Sequence, residues 1–275
     1  MRRYHPLTQE ERLILLERGT EPPFSGTYVE KQPPGVFVCK QCDLPLYLAD
    51  GQFSSHCGWP SFDEALPGAL HTLQDPDGVR TEIQCARCFG HLGHLFLGEK
   101  CTEKNRRFCT NSLSLRFLPA YTKTGYAKAV FAAGCFWRVQ YLFDEISGVA
   151  YTEVGYTGGS VVEPSYEEVC SQKTGHKEAI LLHFSPEILS FSQLVDAFFS
   201  LHDIEQKDGQ GLDKGSSYQP AIYYFTKEQK IIANAARKKL EDAGYQPAAA
   251  IRPVSVIYPA EEKHQKYYAK KGGLY

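Results

Sequence analysis

The sequence predicts two domains: a small, mainly antiparallel β domain over residues 1–118 and an α/β domain over residues 127–275, joined by a short linker at 119–126. Three observations lead there. Seven of the nine cysteines and many short apolar runs, punctuated by Gly, Pro and Asp, fall before residue 119. After residue 126, strand-like and helix-like segments alternate. Between them, Pro119-Ala-Tyr-Thr-Lys-Thr-Gly125 is rich in turn formers. A length of 275 residues suits two ordinary domains, each with its own core.

The first domain opens with one helix. Thr8 is placed to cap it, Glu11 completes a capping box three residues on, and Gly19 stops it. Short strands are expected at Val36–Cys39, Leu44–Leu48, Thr81–Cys85 and Leu113–Leu118. In the second domain Ala129–Ala133 reads as a strand. Phe136, Val139, Phe143 and Ile146 then recur at helical spacing. Glu178–Phe184 and Ala221–Phe225 are strand-like. Ser190 with Gln193 opens a helix carrying Leu194, Val195, Phe198 and Leu201, and Thr226 with Gln229 opens another that Gly244 closes. Tyr166-Glu-Glu-Val-Cys170 reads as a short helix that buries Cys170, and Val254–Tyr258 as the last strand.

Lys plus Arg number 30 against 32 Asp plus Glu, and a net charge of −2 argues against nucleic acid or an anionic membrane as the main partner. No apolar run approaches the roughly 20 residues of a membrane span. No hydrophobic stretch follows the basic start, so a cytoplasmic location is expected. In a reducing compartment nine cysteines, an odd number, point to metal ligands and reactive thiols rather than disulfides. Met1 is the only methionine, consistent with avoidance of self-oxidation.

Cys39-Lys-Gln-Cys42 and Cys85-Ala-Arg-Cys88 are two CxxC knuckles separated by 42 residues. Each knuckle turns two sulfurs to one side, and two together complete a tetrahedral thiolate site for one structural zinc that clamps distant segments. A redox CxxC is the rival, but that motif occurs once, near a βαβ unit.

Three other cysteines lie in this half. Cys109 follows Arg106 and Arg107, cations that lower a thiol pKa, and Asn111 offers an amide nearby. Cys57 sits in a turn beside Trp59, and His91 and His94 flank a Leu-Gly pair. Gly19-Thr-Glu-Pro-Pro-Phe-Ser-Gly26, Cys57-Gly-Trp-Pro-Ser-Phe62, His91-Leu-Gly-His94 and Arg107-Phe-Cys-Thr-Asn-Ser112 occur in the order of methionine sulfoxide reductase B, which residues 5–118 resemble. The resemblance implies Cys109 as nucleophile, Cys57 as resolving thiol and Trp59 against the substrate methyl. His91, His94, Arg107 and Asn111 would polarise and hold the sulfoxide. The chain departs at Leu97-Gly98, where that family commonly has acidic residues; Glu99 is the candidate substitute. Cys101 lies outside the pattern and reads as an idle surface thiol, with an extra resolving thiol as the alternative.

In Ala132-Ala-Gly134-Cys135-Phe-Trp137, a cysteine joins a strand to a helix, where the helix dipole favours thiolate. Gly155-Tyr-Thr-Gly-Gly159, Pro164-Ser-Tyr166, Gly175-His-Lys-Glu178, Gln210-Gly-Leu-Asp213 with Tyr218, and Tyr258-Pro-Ala-Glu-Glu-Lys-His264-Gln265 make residues 127–268 similar to methionine sulfoxide reductase A. That family has an α+β sandwich fold. The resemblance implies Cys135 as nucleophile, Glu178 as general acid, Tyr166 and Tyr218 as donors to the sulfoxide oxygen and Asp213 as support. Phe136 and Trp137 would line the methyl pocket. Many members carry resolving cysteines in a C-terminal tail; here the end, Lys270-Lys-Gly-Gly-Leu-Tyr275, has none.

Together the resemblances imply an enzyme that repairs both epimers of methionine sulfoxide in oxidised proteins or peptides, the R epimer in the first domain and the S epimer in the second. Zinc would be the one cofactor, and a thioredoxin-like or other thiol the reductant. Two other classes fit less well. A zinc-held binding module has no use for Cys57, Cys109 and the paired histidines, and a general thiol oxidoreductase would carry a single CxxC in a βαβ unit.

Overall fold

The chain forms two compact units, Met1–Pro119 and Ala120–Tyr275, and the computed structural model describes residues 3–75 and 78–274.

In the first unit the capping box is present. Thr8 accepts from the Glu11 amide, and the Thr8 amide donates back to the Glu11 carboxylate at 2.9 Å, opening α1 (Gln9–Leu15). Nine strands follow: β1 (Gly35–Cys39), β2 (Pro45–Leu48), β3 (Gln52–Phe53), β4 (Ser61–Phe62), β5 (Leu70–Gln74), β6 (Thr81–Cys85), β7 (His91–Leu97), β8 (Arg106–Thr110) and β9 (Leu115–Pro119). They build a three-stranded sheet, β2-β1-β9, and a six-stranded sheet, β3-β4-β8-β7-β6-β5, antiparallel throughout. The expected mainly antiparallel unit is therefore present, with β3, β4, β5, β7 and β8 beyond the strands expected from the sequence. Its core is aromatic: Tyr47 stacks on Phe62 at 4.1 Å and Phe37 meets Phe62 edge-on at 4.9 Å.

The second unit contains β10 (Ala127–Ala132), α2 (Phe136–Asp144), β11 (Val149–Thr157), α3 (Tyr166–Cys170), β12 (Lys177–Phe184), α4 (Phe191–Ser200), β13 (Gly209–Gln210), β14 (Asp213–Lys214), β15 (Ala221–Tyr224), α5 (Lys227–Asp242), β16 (Ala250–Pro253), β17 (Tyr258–Pro259) and α6 (Tyr267–Lys270). Strands and helices alternate as expected. The main sheet runs β16-β15-β10-β12-β11-β17. Only β15 and β16, joined through α5, pair in parallel; the other neighbours are antiparallel. Ser190 and Thr226 cap α4 and α5. Phe131 of β10 stacks on Phe143 of α2 and Phe198 of α4, within about 5.5 Å of each, so one strand residue ties two helices to the sheet.

Three expectations fail here. No strand spans Val254–Tyr258: β16 starts at Ala250, where its register pairs it with Ala221 of β15, and ends at Pro253, and the last strand, β17, is Tyr258–Pro259. β11, nine residues long and internal to the sheet, was missed. The helix at Tyr166–Cys170 forms, but it buries Val169 and leaves Cys170 exposed. Among the described residues no helix is long and apolar enough to cross a membrane.

Candidate active sites

The first unit brings Cys57 and Cys109 together by register. Ser61 of β4 pairs with Cys109 of β8, so the turn before β4 carries Cys57 to a sulfur–sulfur distance of 3.9 Å. Gly93 of β7 makes the neighbouring crossing possible, since a Cβ there would lie 2.0 Å from the Cys109 carbonyl oxygen. Ser55 donates to the Cys57 sulfur at 3.0 Å and Arg107 Nη1 at 3.4 Å. Two sulfurs this close cannot both ionise. Of the two, Cys57 is the more readily ionised. The hydrogen bond from Cys109, then Ser55, draws its pKa down to about 4 against the opposing effect of burial. Cys109 is pushed up by the Cys57 sulfur and by burial. Arg107 lowers the Cys109 thiol as expected, but the Cys57 sulfur and burial outweigh it, and the Arg107 Nη1 donates to Cys57.

Arg107 is itself held. Glu99 accepts from its Nε at 2.7 Å and its Nη2 at 2.8 Å, and Phe96 lies 4.3 Å below the guanidinium. Glu99, the candidate substitute for the acidic residue absent at Leu97-Gly98, is thus the ion-pair partner of Arg107. Cys101 is exposed, and its sulfur approaches only the Glu99 carbonyl, at 3.8 Å.

A cavity of about 110 Å³ is lined by Thr20, Trp59, His94, Phe96, Cys109 and Asn111. Cys57, Arg107 and His91 are not in its wall. His91 lies behind it, 3% exposed, with Nδ1 2.7 Å from Glu82 and Nε2 without a hydrogen-bond partner. Burial lowers its pKa more than Glu82 raises it, so the ring is neutral. His94 Nε2 meets Asp75 at 2.5 Å. The Asn111 side chain ties down the cavity wall, accepting from the Glu21 amide and donating to the Leu92 carbonyl. The Trp59 indole N–H donates to the Glu21 carbonyl, and the buried Glu21 carboxylate accepts from the Ser112 and Leu113 amides. Glu21, Ser55, Asp75 and Glu82 went unnoticed in the sequence; only Glu21, a lone charge inside a recognised motif, carried a local signal. A larger cavity, about 740 Å³ along α1, contains none of the reactive groups.

Cys39, Cys42, Cys85 and Cys88 converge so that all four sulfurs lie within 4.8 Å of one another, with Cys39–Cys88 at 3.6 Å and Cys42–Cys85 at 3.4 Å. A tetrahedral ion with bonds of about 2.3 Å needs sulfur–sulfur edges of roughly 3.8 Å. The cluster therefore fits a metal of that size. Arg87 donates to the Cys42 carbonyl and fastens one knuckle to the other.

In the second unit Cys135 caps α2 directly after β10. Gly134 has φ +88, and a Cβ there would meet Gln210 at 2.6 Å. Cys135 makes no side-chain capping hydrogen bond; burial and the Glu178 carboxyl push its thiol up to about 11, against the opposing pull of the Trp137 and Arg138 amides at the helix start. The helix start favours thiolate as expected, but burial and Glu178 outweigh it. Glu178, on β12 and 2% exposed, accepts from the Phe136 amide at 3.0 Å. Burial raises its carboxyl to about 7 against that hydrogen bond, helped by Asp213.

Tyr166 and Tyr218 complete the group. Burial pushes both phenols up, and each feels Glu178 and Cys170; Tyr218 also feels Asp213 and Cys135. Tyr218 rides on a turn that Gln172 holds through Ser216 and Ser217, and Lys177 through the Ser216 carbonyl. Asp213 is exposed. Trp137 is half-buried, whereas Phe136, 1% exposed, backs the site from the core rather than offering it surface.

The family described as Peptide methionine sulfoxide reductase matches residues 127–275, and the SelR domain matches residues 7–119. Peptide methionine sulfoxide reductase MsrA of Methanosarcina mazei is 47% identical over 153 residues, 54% of this chain and 72% of that protein. The Bacillus velezensis protein of the same name is 43% identical over 150 residues, 54% of this chain and 85% of its own. Among solved structures, Mxr1 from Saccharomyces cerevisiae in reduced form superposes with a TM-score of 0.53 at 26% identity, covering 56% of this chain and 91% of that one.

Proposed function

The chain belongs to the peptide methionine sulfoxide reductase family, with a SelR domain ahead of that module, and it reduces both epimers of methionine sulfoxide; on that footing we propose how its residues divide the work. The SelR domain takes the R epimer and the second unit the S epimer.

In the S-epimer site Cys135 attacks the sulfoxide sulfur. Oxide is a very poor leaving group, so the oxygen must gain a proton as the bond order falls. Glu178 delivers it; a carboxyl 2% exposed and joined at 3.0 Å to the amide of Phe136, the residue after Cys135, is the observation that carries this reading, and its burial favours the protonated form. Tyr166 and Tyr218 donate to the oxygen, Asp213 supports Glu178, and Trp137 with Phe136 behind it takes the methyl group. Methionine leaves and Cys135 becomes a sulfenic acid.

In the R-epimer site Cys109 is the nucleophile, supported by its place in the cavity wall with Trp59. Its proton passes to the Cys57 thiolate, 3.9 Å away, as it attacks. His94 protonates the oxygen, while His91, Arg107 and Asn111 hold the frame. Cys57, now a thiol, condenses with the Cys109 sulfenic acid, releasing water and forming a disulfide. An external thiol, thioredoxin-like or another thiol reductant, closes that cycle. Cys39, Cys42, Cys85 and Cys88 hold a structural zinc, which clamps the unit and takes no part in the chemistry. Cysteines that must return to thiols suit the cytoplasm, and oxidised proteins or peptides are the substrates.

The test is mass spectrometry after one equivalent of each epimer, with a sulfenic-acid trap present. The R epimer is expected to leave a Cys57–Cys109 bridge, and the S epimer a trapped adduct on Cys135. A Cys135–Cys170 bridge would instead make exposed Cys170 the resolving thiol.

A further inference from the structure

The Tyr258–Gln265 motif has no part in the scheme above, yet its side chains converge on the residue that scheme makes the methyl wall. His264 is 3% exposed. Its Nδ1 accepts the Trp137 indole N–H at 3.1 Å. Its ring packs on Tyr166 at 4.4 Å, on Phe136 at 5.5 Å and on Trp137 at 5.7 Å. Three residues on, Tyr267 lies flat against the indole at 3.7 Å and 8°. Glu261 takes the Tyr166 amide on one oxygen and the Tyr156 hydroxyl on the other, and the second oxygen lies 3.7 Å from His264 Nε2.

The segment is fastened on both sides of the histidine. Gln265 bonds the Val154 amide and carbonyl, and the Lys266 ammonium holds Asp144 at 2.6 Å and Thr152 at 2.7 Å. A strap anchored this way cannot follow the indole if it turns. Accepting at Nδ1 requires the tautomer with hydrogen on Nε2, the atom that faces Glu261. One indole face is covered by Tyr267 and one edge is fixed by His264, so the ring has a single orientation to offer.

We propose that His264 is a positioning residue of the S-epimer site: its acceptor nitrogen fixes the Trp137 indole while its ring backs Tyr166, holding the methyl wall and the phenol donor at one spacing. This rests on Trp137 being the methyl wall.

The chain has two tryptophans and Trp59 belongs to the first unit, so Trp59→Phe leaves Trp137 as the one tryptophan to excite. In that background His264→Phe keeps an aromatic ring and removes the acceptor, whereas His264→Asn keeps an acceptor near Nδ1. With an S-epimer sulfoxide peptide and dithiothreitol, His264→Phe is expected to raise KM roughly 3- to 10-fold, the scale of one lost hydrogen bond. kcat should stay within about twofold, since the wall binds ground and transition states alike. Trp137 emission should shift and become easier to quench with acrylamide. His264→Asn is expected to restore the emission and bring KM back to within about twofold. Trp137→Phe supplies the reference. If it raises KM and His264→Phe does not, or if His264→Asn recovers nothing, the positioning role is overturned alone. If neither raises KM, the methyl-wall reading fails and takes the proposal with it.

Discussion

Glu178→Gln isolates proton delivery in the S-epimer site. Gln matches the carboxyl in size and can still accept the Phe136 amide, so the start of α2 should keep its place. With the carboxyl at about 7, about half the molecules carry its proton at pH 7. With the thiol at about 11, about one in ten thousand carries the thiolate. The reactive form needs both the proton on Glu178 and the charge on Cys135. Its population climbs tenfold per pH unit up to about 7 and then levels, because each further gain in thiolate is offset by loss of the acid. kcat/KM for the S epimer should trace that shape. In Glu178→Gln the rate at pH 7 should fall on the order of 10²–10⁴-fold, the range for removing a general acid. The break near 7 should vanish. The same change removes the charge that helps hold the thiol up, so Cys135 should alkylate faster with iodoacetamide while turnover drops. The folded carboxyl value also lies above its ordinary 4.5, so the native state holds the extra proton between 4.5 and about 7. The stability it contributes is full below 4.5 and is lost as pH rises through about 7, a decline absent from melting curves of the variant. The assay is methionine release from an S-epimer peptide with dithiothreitol across pH 5.5 to 9.5. Near-parental turnover with the break retained would refute the reasoning and move proton delivery to a tyrosine or to water.

Two further outcomes are expected. Metal analysis should find one zinc per chain; Cys85→Ser should release it and unfold the first unit, with S-epimer activity persisting, whereas a metal-free, folded first unit would contradict the clamp. Glu99→Ala removes the two charge-assisted hydrogen bonds on Arg107 and should lower R-epimer kcat/KM roughly tenfold, leaving the S epimer unaffected; a change under twofold would show that Phe96 alone holds the guanidinium.

What could be read in the sequence was local. Thr8 with Glu11 and Ser190 with Gln193 cap helices through atoms three residues apart, and each pair is visible in any short window. The two CxxC knuckles are equally local, and their convergence follows from metal chemistry. Strand pairing decided the rest. β11 mixes Tyr, Thr, Glu and Gly, and only its place between β12 and β17 makes it a strand; at Gly155 a Cβ would lie 2.3 Å from the Tyr258 carbonyl. Asp75 and Glu82 reach His94 and His91 because β5, β6 and β7 are neighbours, a fact spread over twenty residues. The net ionisation of the thiols turns on the same distinction: the local effects act as expected but are outweighed. A helix start and a nearby arginine are local signals, whereas burial of Cys135 beside Glu178 and the contact of Cys109 with Cys57 are tertiary. Cys170 went the same way: the helix was legible, but which of its faces is covered was not.

The central claim is two independent sites, one for each epimer, with one nucleophile apiece. The most direct measurement is reduction of separated R- and S-epimer sulfoxide peptides by the full chain and by Cys109→Ser and Cys135→Ser, with dithiothreitol as reductant. Cys109→Ser is expected to lose the R epimer and keep the S epimer, and Cys135→Ser the reverse. Loss of both activities in either single variant, or survival of R-epimer reduction without Cys109, would contradict it.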